Sequence, residues 1–308
     1  MIDLKKLRPK NFNLNSEIKT IDTIKFVENK HGFKKINNCP ICSYKKKDIY
    51  LVQHSIKIVK CKKCDLTYSE KQPKNFNDVY SNEEYLEKSI NSYDKTRKYR
   101  IKRFAVERIN ILKKYKKKGL LLDFGCGTGW FLEEARKHYE VMGVEYSDTL
   151  RGWLKKKLSI SSFKDAKEIK KKFDIITAFD VIEHVPNPLN FLKNIKKKLK
   201  KNGIILIYTP NIDSLGFSYL KEKNNLLCPP HHLFYFNKKS FEFMCKKANM
   251  KIIETQYRGL DIGDIYGLMN RNGKTKIANY LRQNFDYLQN FVDKSDYSNH
   301  VRFVIKNR

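Results

Sequence analysis

One stretch constrains this chain more than any other. Residues 120–129 read LLLDFGCGTG, and the next apolar run ends at 143–145 on GVE. An apolar strand therefore enters a turn with glycine at every second position, and the chain leaves that turn as a helix. Glycine has no Cβ, so Gly125, Gly127 and Gly129 allow a sharp bend and let a ligand lie directly on the backbone. The unpaired N–H groups of the helix that follows point at such a ligand. Glu145, one βα unit later, stands where a carboxylate can accept two hydrogen bonds from a ribose diol. The order of parts predicts an α/β fold with a pocket for a nucleoside-bearing ligand at the carboxyl end of the first sheet strand.

The spacing narrows the ligand. A dinucleotide fingerprint is G-x-G-x-x-G, whereas position 130 here is Trp and the pattern is G-x-G-x-G. Asp123 precedes it, and a carboxylate suits an ammonium group better than a pyrophosphate. The bland alternative is an ordinary glycine-rich strand–helix turn of some other α/β fold. With Asp123, the three glycines and Glu145 in this order, the chain resembles the class I S-adenosylmethionine-dependent methyltransferases. That resemblance implies that Asp123, Gly125, Gly127 and Gly129 hold the amino-acid end of S-adenosyl-L-methionine and that Glu145 holds its ribose.

Strand and helix patterns alternate through the rest of the chain. Strands are expected at 120–124, 140–145, 159–163, 173–179 and 203–209, with helices at 129–138, 148–157 and 188–200 between them. A helix at 238–249, a strand at 251–256, a helical stretch at 274–291 and a last strand at 299–306 follow. This predicts a doubly wound α/β sheet. The resemblance implies a seven-stranded Rossmann-like sheet with an antiparallel final strand. The expected organisation is an N-terminal segment and cysteine module over 1–75 (core 38–70), a helical linker or lid over 76–118, and the main domain over 119–308 with a helical insert near 264–292. Residues 1–30 are polar and carry no signal, and 82–117 reads as a long helix or helix pair.

Cys39 and Cys42 form one C-x-x-C pair, Cys61 and Cys64 another, with residues 43–60 between them. Each pair makes a knuckle that presents two thiolates, and together they match four-cysteine zinc spacing. Residues 49–52 and 56–59 read as a small hairpin between the knuckles, too small to bury a core, so bound Zn2+ would supply its folding energy. Four thiolates close the coordination sphere, which makes the metal structural. A redox dithiol or disulfides are the alternatives. Cys126, Cys228 and Cys245 stand apart and read as packing residues.

The chain has 308 residues, 64 Lys+Arg against 33 Asp+Glu, and a net charge of +31. The lysine runs fall at expected helix surfaces, the usual place for a solvated charge run, so a lysine-rich coding bias competes with a nucleic-acid partner. The excess favours an anionic small-molecule acceptor, such as a nucleotide-linked or phosphorylated sugar. No apolar run is long enough to span a bilayer and the first residues lack a signal-peptide centre, so no membrane insertion and a cytoplasmic location are expected.

Ligands of open α/β sheets bind at the carboxyl ends of the strands. Besides the glycine loop, two segments should meet there: FDVIEHVP (179–186) and PPHHLFYF (229–236). Asp180 is expected near the cofactor, and Glu183 with His184 near the transferable methyl group. Methyl transfer to oxygen or carbon is an in-line displacement aided by a base, for which histidine is suited. His232 and His184 are the candidates, with His231 beside them; imidazoles that merely tie loops to backbone are the alternative. Residues 232–236 resemble the H-L-x-Y-F segment of sugar and small-metabolite methyltransferases. Deoxysugar C-methyltransferases also carry an N-terminal zinc module, but their H-E-H-L segment is matched only at His232, with Pro230 and His231 departing from it. EHVP (183–186) is similar to ubiquinone-type O-methyltransferases. The leading expectation is methylation of a small molecule, most simply a sugar or glycan-precursor hydroxyl. The alternatives are a zinc-module ribosomal RNA methyltransferase and a non-catalytic zinc adaptor. The segment after the 173–179 strand lacks the Asn/Asp-Pro-Pro-aromatic motif that resemblance would assign to methylation of a base amine.

Overall fold

The computed structural model describes residues 12–79, 90 and 96–308. The main sheet has seven strands: β6 (Leu120–Phe124), β7 (Glu140–Val144), β8 (Ser162–Phe163), β9 (Phe173–Phe179), β10 (Leu199–Pro210), β12 (Met250–Tyr257) and β13 (His300–Asn307). Their spatial order is β12-β13-β10-β9-β6-β7-β8. Strands β6, β7, β8, β9 and β10 are parallel, and β13 runs antiparallel to both β10 and β12. The chain order reverses between β6 and β9, and this switch point places the crevice over the glycine loop.

Alternation along the strands explains why the sheet is buried on both faces. Leu122, Ile176, Ile205, Ile207, Phe303 and Ile305 point into one core. Their neighbours Leu121, Ile175, Ile204, Leu206 and Val304 point into the other. Successive side chains in a strand face opposite ways, so near-continuous apolar runs require cover on both sides. Helices α3 (Trp130–Ala135), α4 (Asp148–Leu158), α5 (Pro188–Lys197) and α7 (Lys238–Lys247) accompany the strands. Their starts are set locally: Ser147, Asn187 and Asn237 each accept a hydrogen bond from the first-turn backbone, and Pro188 opens α5. Helix α2 (Val106–Lys113), entered through a π turn at Ile101–Ala105, covers the second core with Ala105, Ile109 and Leu112. The expected start of this helical region, at 82–89 and 91–95, lies outside the described residues.

Several boundaries differ from the sequence expectation. Residues 12–30 form helix α1 (Phe12–Lys30), although their polarity offered no pattern. The expected helix at 274–291 is two helices, α9 (Thr275–Gln283) and α10 (Phe285–Lys294), preceded by α8 (Asp261–Arg271). These three share a small core of their own with Leu220 from α6 (Leu215–Leu220).

The cysteine module contains β1 (Phe33–Lys35), β2 (Lys47–Gln53), β3 (Ile56–Cys61), β4 (Thr67–Ser69) and β5 (Lys71–Pro73). The expected hairpin is β2–β3. Its sheet does not close within the module. The fourth strand is β11 (Phe234–Tyr235), from the segment after β10, paired antiparallel with β4. Cys39, Ile41, Leu66 and Tyr68 share one apolar core with Phe234, Phe241 and Phe303. Among the described residues, no helix is long and apolar enough to cross a membrane.

Candidate active site

The glycine loop leaves β6 with Gly125, Gly127 and Gly129 all at positive φ. Two of them are needed for different reasons. A Cβ on Gly129 would lie 2.4 Å from Leu154 Cδ2, so close helix packing demands its absence. A Cβ on Gly127 would meet nothing within 4 Å, so this glycine faces open space above the sheet. Gly127 N–H donates to Glu145 Oε2 at 2.9 Å and Ser147 N–H to Oε1 at 3.0 Å. Glu145 thus ties the rim of the loop together, and each of its oxygens keeps a second lone pair. Asp123 is buried and accepts from Thr177 Oγ1 at 2.7 Å. Burial pushes its carboxyl up to about 7, against the pull of Thr177 and Arg108.

Arg108 is buried, and its guanidinium lies 4.1 Å from the centre of the Phe179 ring, 4.8 Å from Tyr208 and 5.0 Å from Trp130. Asp180 follows β9 at positive φ, with its side chain 45% exposed and Oδ1 at 3.4 Å from His300 Nε2.

Glu183, His184 and His232 come together from two loops. One ligand-capable atom of each lies within 4.8 Å of the others, and the two imidazole rings are 4.6 Å apart. Both Nδ1 atoms face backbone carbonyls, His184 to His231 O at 2.8 Å and His232 to Leu226 O at 2.7 Å. A carbonyl only accepts, so each Nδ1 carries the proton, and the Nε2 of the neutral ring carries a lone pair. Burial holds His184 below its ordinary value and His232 well below it, so both rings are neutral at pH 7. Glu183 is fully buried; Oε2 accepts from Thr209 Oγ1 at 3.0 Å, while Oε1 has no hydrogen-bond partner among the described residues. Burial, with Asp180 nearby, pushes its carboxyl well above the usual range.

The backbone explains the meeting. Leu233 N–H donates to Glu183 O at 2.8 Å, and Ser69 N–H donates to Leu233 O at 2.9 Å. The histidine loop is thereby stitched to the β9 loop on one side and the cysteine module on the other. His231, the third histidine of the region, turns elsewhere: its Nε2 lies 3.1 Å from Thr23 Oγ1 of α1. Thr23, Thr209, His300 and Arg108 escaped the sequence reading. Thr209 carried a signal, since it ends the expected strand 203–209 at the ligand-binding edge, and Arg108 carried another, since it falls at helical spacing among the apolar residues of 101–112.

The four module cysteines are buried or nearly so, unpaired by disulfides, and their sulfurs lie within 4.8 Å of one another. Cys39 and Cys64 are 3.4 Å apart, Cys42 and Cys61 3.5 Å. Zn–S bonds of about 2.3 Å give a tetrahedron with an edge of about 3.8 Å, which these positions fit. The two knuckles repeat one conformation: Ser43 N–H donates to Cys39 O and Asp65 N–H to Cys61 O, with Ser43 and Asp65 both at positive φ.

A family model described as "Methyltransferase domain" matches residues 93–255. The chain belongs to that family. The match ends within β12. Among curated proteins the chain is similar to the ubiquinone biosynthesis O-methyltransferases of Coxiella burnetii, 32% identical over 109 residues and 32% of this chain. That of Pelagibacter ubique is 35% identical over 107 residues and 30% of this chain. The chain spans 47% and 42% of those relatives, about half their length or less. Among solved structures it aligns with an S-adenosylmethionine-dependent methyltransferase from Clostridium acetobutylicum over 70% of this chain and 98% of that one, at 11% identity and a TM-score of 0.46.

Proposed function

We propose that the chain transfers the methyl group of S-adenosyl-L-methionine to a hydroxyl of a small molecule of the sugar or glycan-precursor class, with Zn2+ held structurally by Cys39, Cys42, Cys61 and Cys64. The observation that carries this reading is the open face at Gly127, rimmed by Glu145 on the same sheet edge as the Glu183–His184–His232 cluster. Asp123 balances the cofactor's ammonium group, and the spare lone pairs of Glu145 accept from its ribose hydroxyls. Asp180, Gly125 and Gly129 complete the cradle. The reaction needs acceptor oxygen, methyl carbon and sulfur in line and water kept out. Glu183, His184 and His232 activate the acceptor oxygen, the role expected of a histidine base.

The relatives named as O-methyltransferases support oxygen as the methylated atom. The net charge of +31 supports an anionic acceptor, such as a nucleotide-linked or phosphorylated sugar. A reducing compartment such as the cytoplasm keeps four thiols available to zinc. Calorimetry tests the cofactor: the intact chain binds S-adenosylmethionine with one site, and an absence of binding overturns the reading. A metabolite comparison of cells with and without the protein then identifies the methylated sugar.

A further inference from the structure

We propose that the amino edge of the main sheet, opposite the cleft, docks the phosphate backbone of a nucleic-acid duplex. Three lysine runs lie at strand starts instead of on helix surfaces. Residues 116–118 lead into β6, 170–172 lead into β9, and 200–201 open β10. Lys251 stands at the start of β12 and Lys306 near the end of β13. Strands β6, β9, β10 and β12 run one way and β13 the other, so all five segments reach the same edge. The five strands are consecutive in the sheet. Neighbouring strands lie about 4.8 Å apart, so the cations spread over about 19 Å.

The carboxylates nearby are already taken. Asp174 accepts from Lys200 Nζ at 2.8 Å and from Leu120 N–H at 2.9 Å. Glu140 lies 3.7 Å from Lys171 Nζ, and Glu254 accepts from Lys114 Nζ at 2.9 Å. Lys117, Lys118, Lys170, Lys172 and Lys201 are exposed and have no ion pair among the described residues. Lys251 and Lys306, also exposed, are direct cross-strand partners. Like charges so placed repel, and a phosphate between them relieves the repulsion. Helix C-termini attract lysine through their dipole. That accounts for Lys196 and Lys197 of α5 and Lys246 and Lys247 of α7, but not for lysines at strand starts.

The same edge narrows the partner. None of the exposed large apolar side chains belongs to these segments. Single strands are held largely by stacking on aromatic side chains. A bilayer surface is held by apolar residues entering the headgroup boundary. Neither finds an anchor here. A duplex needs only its phosphates, and about 19 Å of DNA duplex axis carries about eleven charges. The edge faces away from the glycine loop, so the duplex tethers the chain and is not its methyl acceptor. The inference is independent of the proposed methyl transfer.

The test titrates the full chain with RNA and DNA duplexes of one sequence, by fluorescence anisotropy at several salt concentrations. If about five phosphates are engaged, log K should fall with log salt at a slope of about −4 to −5. Lys118→Gln, Lys172→Gln and Lys201→Gln combined should reduce the slope by about 3 and weaken binding about tenfold or more. Circular dichroism should show the fold retained. Lys34→Gln, Lys35→Gln and Lys223→Gln remove the same charge from exposed positions elsewhere and should bind as wild type. Should the first triple variant fail to fold, each of its single changes should reduce the slope by about 1. Equal affinity for both duplexes assigns the contact to phosphates alone, and a preference for RNA assigns it also to A-form shape; both support the proposal. Absence of duplex binding at low salt, or equal weakening by the two triple variants, overturns it. So does tighter binding to single strands or to phosphatidylglycerol vesicles than to either duplex.

Discussion

Gly127→Ala and Gly129→Ala should fail in opposite ways. Both positions have left-handed backbone, at φ +52° and +69°, so a Cβ costs about 1–2 kcal/mol at each. At Gly129 the new methyl would also sit 2.4 Å from Leu154 Cδ2 and 3.1 Å from Leu158 Cδ1. Forcing α4 away from a close-packed contact adds about 1–3 kcal/mol. The total loss of stability is therefore about 2–5 kcal/mol for Gly129→Ala and about 1–2 kcal/mol for Gly127→Ala. Binding should reverse the order. The Gly127 methyl enters the space assigned to the cofactor, and a clash of about 1–3 kcal/mol there raises its Kd roughly five- to 150-fold. Gly129→Ala, measured at a temperature where it is folded, should bind within a few-fold of wild type. Urea denaturation gives the stabilities, and calorimetry with S-adenosylmethionine gives the affinities. Wild-type affinity in Gly127→Ala would refute the placement of the ligand against this loop.

Other changes test other parts. Glu145→Ala should weaken cofactor binding by about 2–3 kcal/mol, the order for a lost charge-assisted group, and unchanged calorimetric affinity would remove its ribose role. His232→Ala should lower methyl-transfer turnover by about a hundredfold or more with cofactor affinity kept, once the acceptor is known; near-normal turnover would shift the role to His184 and Glu183. Asp123 has a folded pKa raised to about 7 from an ordinary 3.8, so the folded state holds its proton more tightly. The stability linked to that proton is fully present below about 4 and lost as pH rises through about 7, amounting to up to about 4 kcal/mol. Denaturation at pH 5 and pH 8 should show a smaller drop in Asp123→Asn than in wild type, and equal drops would remove Asp123 as the source.

Much of the sheet was legible because its strands obey local rules. The β6–loop–α3 unit announces itself through apolar run and glycine spacing, and β9 and β10 through runs buried on both faces. The apolar runs at 49–52 and 56–59 likewise revealed the hairpin between the knuckles. What escaped depends on partners distant in sequence. Among the described side chains of helix α1 the buried apolar ones are Ile24 and Val27, too few to make a stripe that betrays it. Strand β11 is two residues long and exists only because β4 offers it an edge. Arg108 falls at helical spacing among the apolar residues of 101–112, but periodicity alone does not reveal the three aromatic rings that enclose it. Glu183 and His184 are adjacent in sequence, but their approach to His232 follows from the Leu233–Glu183 backbone bond, which no spacing rule supplies.

That bond also gives the cysteine module a role beyond its own stability. The chain passes from Cys64 through Asp65 to β4 within three residues. Asp65 accepts from Asn237 Nδ2 at 3.2 Å, and β4 pairs with Phe234 and Tyr235. His232 therefore sits in a loop anchored at Leu233 to both β4 and the carbonyl of Glu183. The anchoring is only as firm as β4, a three-residue strand directly beyond the second knuckle. Such a strand cannot hold register by itself; a metal bound at the four thiolates would do so by fixing Cys61 and Cys64, and would contribute the folding energy that the small module lacks. The same apolar core runs from Ile41 and Tyr68 through Phe234 to Phe241 and Phe303 of the main domain. A metal at the cysteines would then act on chemistry without touching substrate, by holding the His232 imidazole opposite Glu183 and His184.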